Sequence, residues 1–387
     1  MLKTNLDYSY LVHFWLSLLI VATTFTKLRF FGAFGAHDIL FVITLIALTT
    51  YRQNKTLLFY IFLFIFVTLI TLFINFILNN PIAHSFTHDL LALLLNGLFL
   101  SVLINNHRIA ITKLFYSLYF VISLYLIIIF IFGVVLEKNY FWWLFDIENS
   151  RLSGLAINPN QTSFVVLLLT GLSLYFFLNT KPLFKKILHA LLALFSLLLA
   201  TYVDADALYM AIAAFIAMTI FLYSPTPLKI FELTLFVSIM IYISLNIEII
   251  DNYISAFQAQ ERFARWLSFE GLFPQALVIG FGLGGHGPSF DDTYKLATGL
   301  PFQNTEFHNI FLDFFSQFGI LFGFIMICIY LFNLIKICKR SLYLFIALTA
   351  GLFVMSFFHM YLRHPLFWFI ALLPFIYQYK ENKKCAE

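Results

Sequence analysis

The chain has 387 residues, of which 62% are hydrophobic and 11% charged, and its formal net charge is +4 at pH 7. This composition leaves too little polar surface to cover a water-soluble globule, which excludes a soluble enzyme. The Lys and Arg residues occur in short clusters between apolar runs, so a nucleic-acid partner is also excluded. We expect one membrane domain over residues 1–387, in contact with the lipid bilayer.

Apolar runs along the whole chain predict an all-α polytopic membrane protein of about 12 transmembrane helices. A run of about 20 apolar residues crosses the ~30 Å hydrocarbon core of a bilayer. The first run lacks a small-residue cleavage site, so it is interpreted as a retained helix and not as a signal peptide. The predicted helices are Leu11–Phe25, Phe34–Thr50, Leu57–Leu78, Leu90–Ile104, Leu114–Leu136, Thr162–Leu178, Ile187–Val203, Ala207–Tyr223, Ile230–Ile250, Ile310–Leu334, Leu342–Tyr361 and Leu366–Tyr379.

The positions of the basic residues predict the orientation of these helices. Placing both termini in the cytoplasm puts 15 of the 23 Lys and Arg residues in cytoplasmic segments, as the positive-inside rule requires. Most acidic residues then lie outside, so we expect a bacterial inner-membrane protein with a periplasmic active site. The three cysteines fall in the cytoplasmic half and show no metal-ligand spacing, so neither a disulfide nor a metal or other cofactor is predicted.

The smaller of two external loops, residues 137–161, ends in the sequence ENSRLSGLAINPNQTSF around the start of the sixth helix. Pro159 favours an extended conformation at Asn158, and the side chains of Asn158 and Asn160 can cap a helix or bind a substrate. Arg151 can contact an anion. Helix capping is the default interpretation of the asparagines, and substrate binding is the alternative.

The larger external loop, residues 251–307, begins with ISAFQAQERFARWLSFEGLFP, which is typical of an amphipathic helix at a membrane surface. Arg262 and Arg265 share one face of this helix. Two guanidinium groups at this spacing can bind a diphosphate. Alternatively, Glu261 pairs with Arg265 and both arginines meet lipid phosphates.

The middle of the larger loop contains the glycine-rich sequence IGFGLGGHGPSF, which includes His286. As a nucleotide-binding fingerprint this pattern is weak, because no strand and helix of a soluble nucleotide-binding unit surround it. A tight loop that returns to the membrane explains the glycines. A position in this loop is the favoured interpretation of His286, and a catalytic role is the alternative.

The larger loop ends at FHNIFLDFFSQFGILFG, which places His308 and Asn309 at the external mouth of the tenth helix, with Asp313 about one turn deeper. A histidine at a membrane boundary can accept a proton near neutral pH and so activate a sugar hydroxyl. The alternative is an interfacial histidine that only caps its helix.

Four sequence segments, in this order, resemble the O-antigen ligase and O-antigen polymerase superfamily. They are RLSGLAINPN, the pair Arg262 and Trp266, PQALVIGFGLG, and FHNIFLDFFSQFGILFG, within residues 150–325. The resemblance implies a periplasmic, metal-independent glycosyltransferase. Its implied catalytic residues are Arg262, which contacts the donor diphosphate, and His308, which acts on the acceptor.

One segment departs from the family pattern. Members commonly have a Ser-Arg-Gly-like step after the NPN helix and its successor, whereas this chain has ATYVDADALYM with Asp204 and Asp206. Arg265 or Arg151 would have to supply the missing positive charge. Alternatively, Asp204 or Asp206 acts as a base or orients a sugar.

The resemblance implies transfer of a glycan from undecaprenyl diphosphate to a sugar hydroxyl. The implied partners are the undecaprenyl-diphosphate-linked oligosaccharide, an acceptor glycan and envelope polysaccharide assembly proteins. An O-antigen polymerase is favoured because the loops are compact, and an O-antigen ligase acting on lipid A-core is the alternative. A transporter of lipid-linked oligosaccharide is less favoured, because such a path needs charged residues within the helices and few are present.

Overall fold

The structure is a computed structural model. It describes residues 8–31, 34–49, 66, 69–70, 72–73, 76–77, 86–106, 109–136, 142–145, 151–245, 280, 309–358 and 363–386. The larger external loop, apart from Gly280, and most of the predicted third helix, Leu57–Leu78, lie outside the described residues.

The described ranges contain 12 α-helices and one short hairpin. The helices are α1 (Tyr8–Ala22), α2 (Ala36–Thr49), α3 (Phe86–Asn105), α4 (Ile111–Phe130), α5 (Pro159–Asn179), α6 (Leu183–Val203), α7 (Asp206–Tyr223), α8 (Thr226–Leu245), α9 (Ile310–Phe318), α10 (Ile320–Lys336), α11 (Tyr343–Ser356) and α12 (Pro365–Ala386). Strands β1 (Arg29–Phe31) and β2 (Phe34–Gly35) form an antiparallel pair between α1 and α2. A π-helical turn, Ile131–Val135, extends α4.

The predicted all-helical architecture is confirmed in the described ranges, apart from the hairpin. Four helices there are long and apolar enough to cross a membrane. They are Ile111–Val135, Pro159–Asn179, Leu183–Val203 and Asp206–Tyr223. Five shorter apolar helices accompany them, namely Ser9–Ala22, Ala36–Leu48, Asp89–Asn105, Ile320–Lys336 and Arg340–Ser356. Helices of this composition fit a membrane protein, because a helix satisfies its own backbone hydrogen bonds in lipid.

Most helix boundaries differ from the sequence predictions by a few residues, and three differences affect the description of the fold. The predicted tenth helix, Ile310–Leu334, is broken at Gly319, whose φ of 89° ends α9 and begins α10. Only glycine adopts this backbone conformation without strain, so the break is fixed by that residue. The sixth helix begins at Pro159, which shortens the 137–161 loop, and the last helix extends from the predicted Leu366–Tyr379 to Pro365–Ala386.

Helix α5 forms the centre of the described bundle. Every residue from 162 to 173 is buried, so this helix is covered on all sides. Helices α4, α6, α7, α11 and α12 pack around it. A helix that is apolar all round needs such a complete shell, which explains why α5 lacks an amphipathic pattern. By contrast, many side chains of α6 and α7 are exposed apolar residues, which suits contact with lipid.

The helix connections lie at two opposite ends of the bundle. The Lys27 end comprises the described residues 23–31, 34–35, 142–145, 151–158, 204–205 and 363–364. The Lys380 end comprises segments 106–110, 180–182, 224–225 and 337–342, and there Lys380 donates to the carbonyl of Asn106 (2.8 Å). Helix α9 belongs to the Lys27 end, because Phe311 packs on Phe357 just beyond α11, with ring centroids 4.7 Å apart.

The contact between α7 and α11 requires a glycine at position 351. A Cβ atom there would lie 2.6 Å from the carbonyl oxygen of Ala211, which is backbone and cannot rotate away. At Gly171 the corresponding obstacle is the Cδ1 atom of Leu348 at 2.9 Å, which is the end of a flexible side chain. We therefore expect Gly351→Ala to destabilise the protein by about 1–3 kcal/mol and Gly171→Ala to have a smaller effect.

Thermal unfolding of the two purified variants in the same detergent measures this difference. Equal melting temperatures would contradict the close α7–α11 packing.

Candidate functional site

The ammonium group of Lys27 is the centre of a hydrogen-bond network at the Lys27 end. Its three N–H groups lie within hydrogen-bonding distance of four oxygen atoms, the carbonyls of Trp143 (2.5 Å), Phe145 (3.1 Å) and Gly154 (3.1 Å) and the hydroxyl of Ser153 (2.8 Å). The backbone N–H of Lys27 also donates to the carbonyl of Leu155 (3.0 Å). A positive charge held by several carbonyl dipoles forms strong hydrogen bonds, so the 142–155 region is fixed to the end of α1.

Other elements hold the backbone of the 151–158 segment as well. The backbone N–H of Leu152 donates to the carbonyl of Tyr202 (2.8 Å). The backbone N–H of Leu155 donates to the hydroxyl of Tyr125 (3.1 Å). The backbone N–H of Ile157 donates to the hydroxyl of Thr26 (2.8 Å). These acceptors belong to α6, α4 and the turn after α1. The RLSGLAINPN sequence is therefore an ordered connection with its backbone hydrogen bonds satisfied.

Arg151 and Asp204, which the sequence placed in separate loops, lie together in the structure. Arg151 is half-buried, and its Nη1 atom donates to the carbonyl of Asp204 (3.4 Å). Asp204 has a left-handed φ of 46° and ends α6, and its carboxylate accepts from the hydroxyl of Tyr209 (3.3 Å). Asp206 is exposed in the first turn of α7, where a negative charge is favourable. The α6–α7 turn thus carries two carboxylates beside an arginine.

The two asparagines of the NPN sequence have different environments. Asn158 is exposed and caps α5, because its side-chain oxygen accepts from the backbone N–H of Asn160 (2.9 Å). The buried side chain of Asn160 donates to the same oxygen (2.7 Å). The default interpretation, helix capping, is therefore confirmed for Asn158. Pro159 at the first helical position supports the cap, since its missing N–H would have no helical partner there.

A stripe of buried polar residues runs along the short helix α9. We call Asn309, Asp313, Ser316 and Gln317 the α9 stripe; each is at most 4% exposed. Their spacing places them on one face of the helix. Asn309 caps α9 by accepting from the backbone N–H groups of Phe311 (3.0 Å) and Leu312 (3.2 Å). The carboxylate of Asp313 is therefore buried about one turn inside the capped end of the helix.

Gly280 brings the glycine-rich sequence against this helix. Its φ is +69°, and a Cβ atom at this position would lie 2.6 Å from the carbonyl oxygen of Gln317 and 2.6 Å from the backbone nitrogen of Gly319. The close approach of two backbones explains why a glycine is needed at this position. Gly280 itself therefore touches the junction of α9 and α10.

Several predicted site residues lie outside the described residues. They are Arg262, Arg265, His286 and His308. Of the other predicted residues, the structure brings Arg151 to Asp204 and Asn158 to Asn160, and it places Asn309 at the start of the α9 stripe. The sequence interpretation missed the network of Lys27 and the burial of Gln317. Neither has a local sequence signal, apart from the polar positions that recur along one face of α9.

His364 is a second polar group at the Lys27 end that the sequence interpretation missed. Its ring stacks on Phe164 of α5, with centroids 5.3 Å apart and planes inclined by 20°. Its Nδ1 atom accepts from the backbone N–H of Leu366 (3.2 Å) at the start of α12. Burial, together with the nearby positive charge of Arg29, lowers the pKa of His364 to about 3. The imidazole is therefore neutral at pH 7, with its proton on Nε2.

Within the described ranges, no group of three or more His, Cys, Asp or Glu side chains is placed to hold a metal ion. The chain matches no protein-family model, no curated protein and no solved structure.

Replacing Lys27 by Met should loosen the 151–158 segment. The variant keeps the length of the side chain but loses its hydrogen bonds to four oxygen atoms, which leaves buried carbonyl groups unpaired. We expect amide hydrogen exchange to increase in residues 151–158 and a loss of about 2–4 kcal/mol of stability. Lys181→Met, at an exposed lysine of the Lys380 end, is the matched control. Equal exchange in both variants would exclude the proposed anchoring role.

Acid should destabilise the protein through His364. Its pKa in the folded state is below the value of 6.5 for a free imidazole, so the unfolded chain binds the proton first and stability falls between pH 6.5 and pH 3. His364→Asn keeps a side-chain acceptor for the N–H of Leu366 but cannot titrate. We expect wild type to lose about 1–2 kcal/mol more than this variant between pH 7 and pH 5. If wild type and His364→Asn lose the same stability between pH 7 and pH 5, His364 does not contribute to the acid sensitivity.

Proposed function

We propose that this chain is a multi-pass inner-membrane glycosyltransferase of the O-antigen ligase and polymerase type. It transfers a glycan from undecaprenyl diphosphate to a sugar hydroxyl, and O-antigen polymerisation is the favoured reaction. In this proposal the helices make 12 crossings, with the Lys27 end in the periplasm and both termini in the cytoplasm.

The proposal is supported mainly by the location of two sequence motifs. The RLSGLAINPN and FHNIFLDFF motifs are separated by about 150 residues in the sequence, and the described parts of both lie at the Lys27 end of the bundle. The first motif is held there by Lys27 and the α6–α7 turn, and the second begins with the capped helix α9. This common location supports a single site made from both loops, as the family resemblance implies.

The proposed chemistry uses positive charge and one base. The acceptor hydroxyl attacks the anomeric carbon of the donor sugar, and a new glycosidic C–O bond replaces the bond to the diphosphate oxygen. His308 takes the proton of the hydroxyl. Arg262 and Arg265 stabilise the negative charge that grows on the departing lipid diphosphate, which requires no metal ion. Stabilisation of this leaving group is worth most where the site is shielded from water.

The described residues add supporting roles to this scheme. Arg151 is in position to contact an anion beside the α6–α7 turn, although it already donates to Asp204. The carboxylates of Asp204 and Asp206 are exposed there and can accept hydrogen bonds from sugar hydroxyls. Asn309 follows His308 directly and fixes the start of α9, so it orients the backbone that carries the proposed base. Asn158 offers an exposed amide at the same end.

Complementation of two bacterial strains tests the proposal. One strain lacks its O-antigen polymerase, the other lacks its O-antigen ligase, and the lipopolysaccharide ladder is scored for wild type, His308→Ala and Arg262→Ala. We expect wild type to restore long chains in the polymerase-deficient strain and both substitutions to reduce them at least ~100-fold, the usual cost of losing a general base or a charge-stabilising group. Arg340→Ala, at the Lys380 end, is the control for an arginine outside the site.

Each outcome has a distinct meaning. Rescue of the ligase-deficient strain instead would make lipid A-core the acceptor. Wild-type rescue that survives both substitutions would contradict the proposed catalytic residues and favour transport of the lipid-linked oligosaccharide. Immunoblots of the membrane fraction must show equal amounts of every variant, so that a loss of ladder reports activity and not folding.

A further inference from the structure

Three lysines at the Lys380 end have no role in the proposed reaction. We call Lys229, Lys336 and Lys339 the Lys229 patch. Lys229 lies in the first turn of α8, Lys336 ends α10, and Lys339 lies in the connection between α10 and α11. Lys336 and Lys339 are exposed, and Lys229 is half-buried. The patch therefore combines basic residues from two separate parts of the chain.

An aromatic contact brings these two parts together. The ammonium nitrogen of Lys229 lies 5.8 Å from the ring centroid of Phe221 on α7 and 5.8 Å from that of Tyr343, the first residue of α11. A cation within this distance of a ring is attracted to it. The backbone N–H of Leu342 donates to the carbonyl of Lys339 (2.8 Å), so Lys339 lies within about one turn of Tyr343. Lys229 and Lys339 therefore belong to the same surface of the bundle.

No carboxylate in the described ranges forms an ion pair with these lysines. The ion pairs found there involve the carboxylates of Asp38 and Asp89. The acidic residue nearest to Lys229 in the sequence is Glu232, whose carboxylate accepts from the hydroxyl of Ser224 (3.1 Å). An aromatic ring attracts an ammonium group but leaves its net charge unchanged. The patch therefore presents positive charge that an anion can neutralise.

Exposed apolar side chains lie beside the patch. They are Leu228, Ile230 and Phe231 on α8, and Phe332 and Ile335 on α10. Contact with water is unfavourable for such side chains, whereas lipid acyl chains can cover them. A lysine at the edge of an apolar surface keeps its aliphatic stem in the apolar region and its ammonium group at the polar boundary. The patch therefore lies where a bilayer would place the phosphates of its headgroups.

We infer that the Lys229 patch binds the headgroup of an anionic phospholipid of the bilayer, with the acyl chains against the apolar side chains beside it. The phosphate complements the charge of the lysines, whereas a zwitterionic headgroup adds an ammonium group that they repel. Basic pockets between helices at the cytoplasmic side of a membrane suit such headgroups. The inference goes beyond the proposed function, because it depends on the location in a membrane but not on glycosyl transfer.

Native mass spectrometry of the purified full-length protein tests this inference. The protein is released from nanodiscs of equimolar phosphatidylglycerol and phosphatidylcholine, and the retained lipids are counted. We expect wild type to retain phosphatidylglycerol preferentially. Lys229→Gln and Lys339→Gln should each retain about fivefold less of it, because each lysine near the surface adds to the attraction of an anionic lipid.

Lys181→Gln is the matched control, because it removes an exposed lysine from the α5–α6 connection at the same end. It should retain phosphatidylglycerol as wild type does. Lys229→Arg keeps the charge and should also behave like wild type. The side chain of Lys339 is exposed, so a loss of lipid in Lys339→Gln is not explained by a disturbed core. Size-exclusion profiles confirm that each variant is folded.

Two results would overturn the inference. One is equal retention of the two lipids by wild type. The other is retention of phosphatidylglycerol by Lys229→Gln or Lys339→Gln at the level of Lys181→Gln, which would attribute any binding to the general positive charge of this end. Failure of the complementation experiment would leave this measurement unaffected, since neither lipid is a glycan donor, and the reverse also holds.

Discussion

The hydrogen bonds of the Lys27 ammonium group are the interaction on which the Lys27 end depends. The 142–158 segment is an irregular connection at the end of an apolar bundle, so its carbonyl groups must find donors within the protein or in water. Lys27 supplies donors to three of these carbonyls and to the hydroxyl of Ser153. Once that segment is fixed, Arg151 reaches the α6–α7 turn and Asn158 starts α5. A single half-buried cation thus positions the polar residues of one loop.

Two arginines at this end are used in different ways. Arg151 is directed to the backbone carbonyl of Asp204, which gives the α6–α7 turn a positive neighbour. Arg29 is held weakly by Asp38 and keeps its hydrogen-bonding capacity. The first contact stabilises the α6–α7 turn through a hydrogen bond, and the second is only a weak ion pair.

The sequence allowed most of the helices to be predicted. Long apolar runs are local signals, and the cap at Asn158 followed from an asparagine before a proline. The break at Gly319 was missed, because apolar residues continue on both sides of it. The hairpin between α1 and α2 was also missed, since strands of three and two residues carry almost no periodicity. For the site, Asn158 and Asn309 were recognised as helix-end residues, and their structural roles are caps.

The sequence by itself determined the helical class, the positions of the apolar segments and the residue types available for chemistry. Tertiary structure decided which of those residues meet. Lys27 and the carbonyl of Gly154 are 127 positions apart, and Arg363 pairs with Asp89, which lies 274 positions away. Such contacts depend on how the helices pack, and no local pattern of hydrophobicity encodes that arrangement. Burial then set the properties of the side chains, because it lowers the pKa of His364 to about 3 and so keeps the imidazole neutral well below pH 6.5.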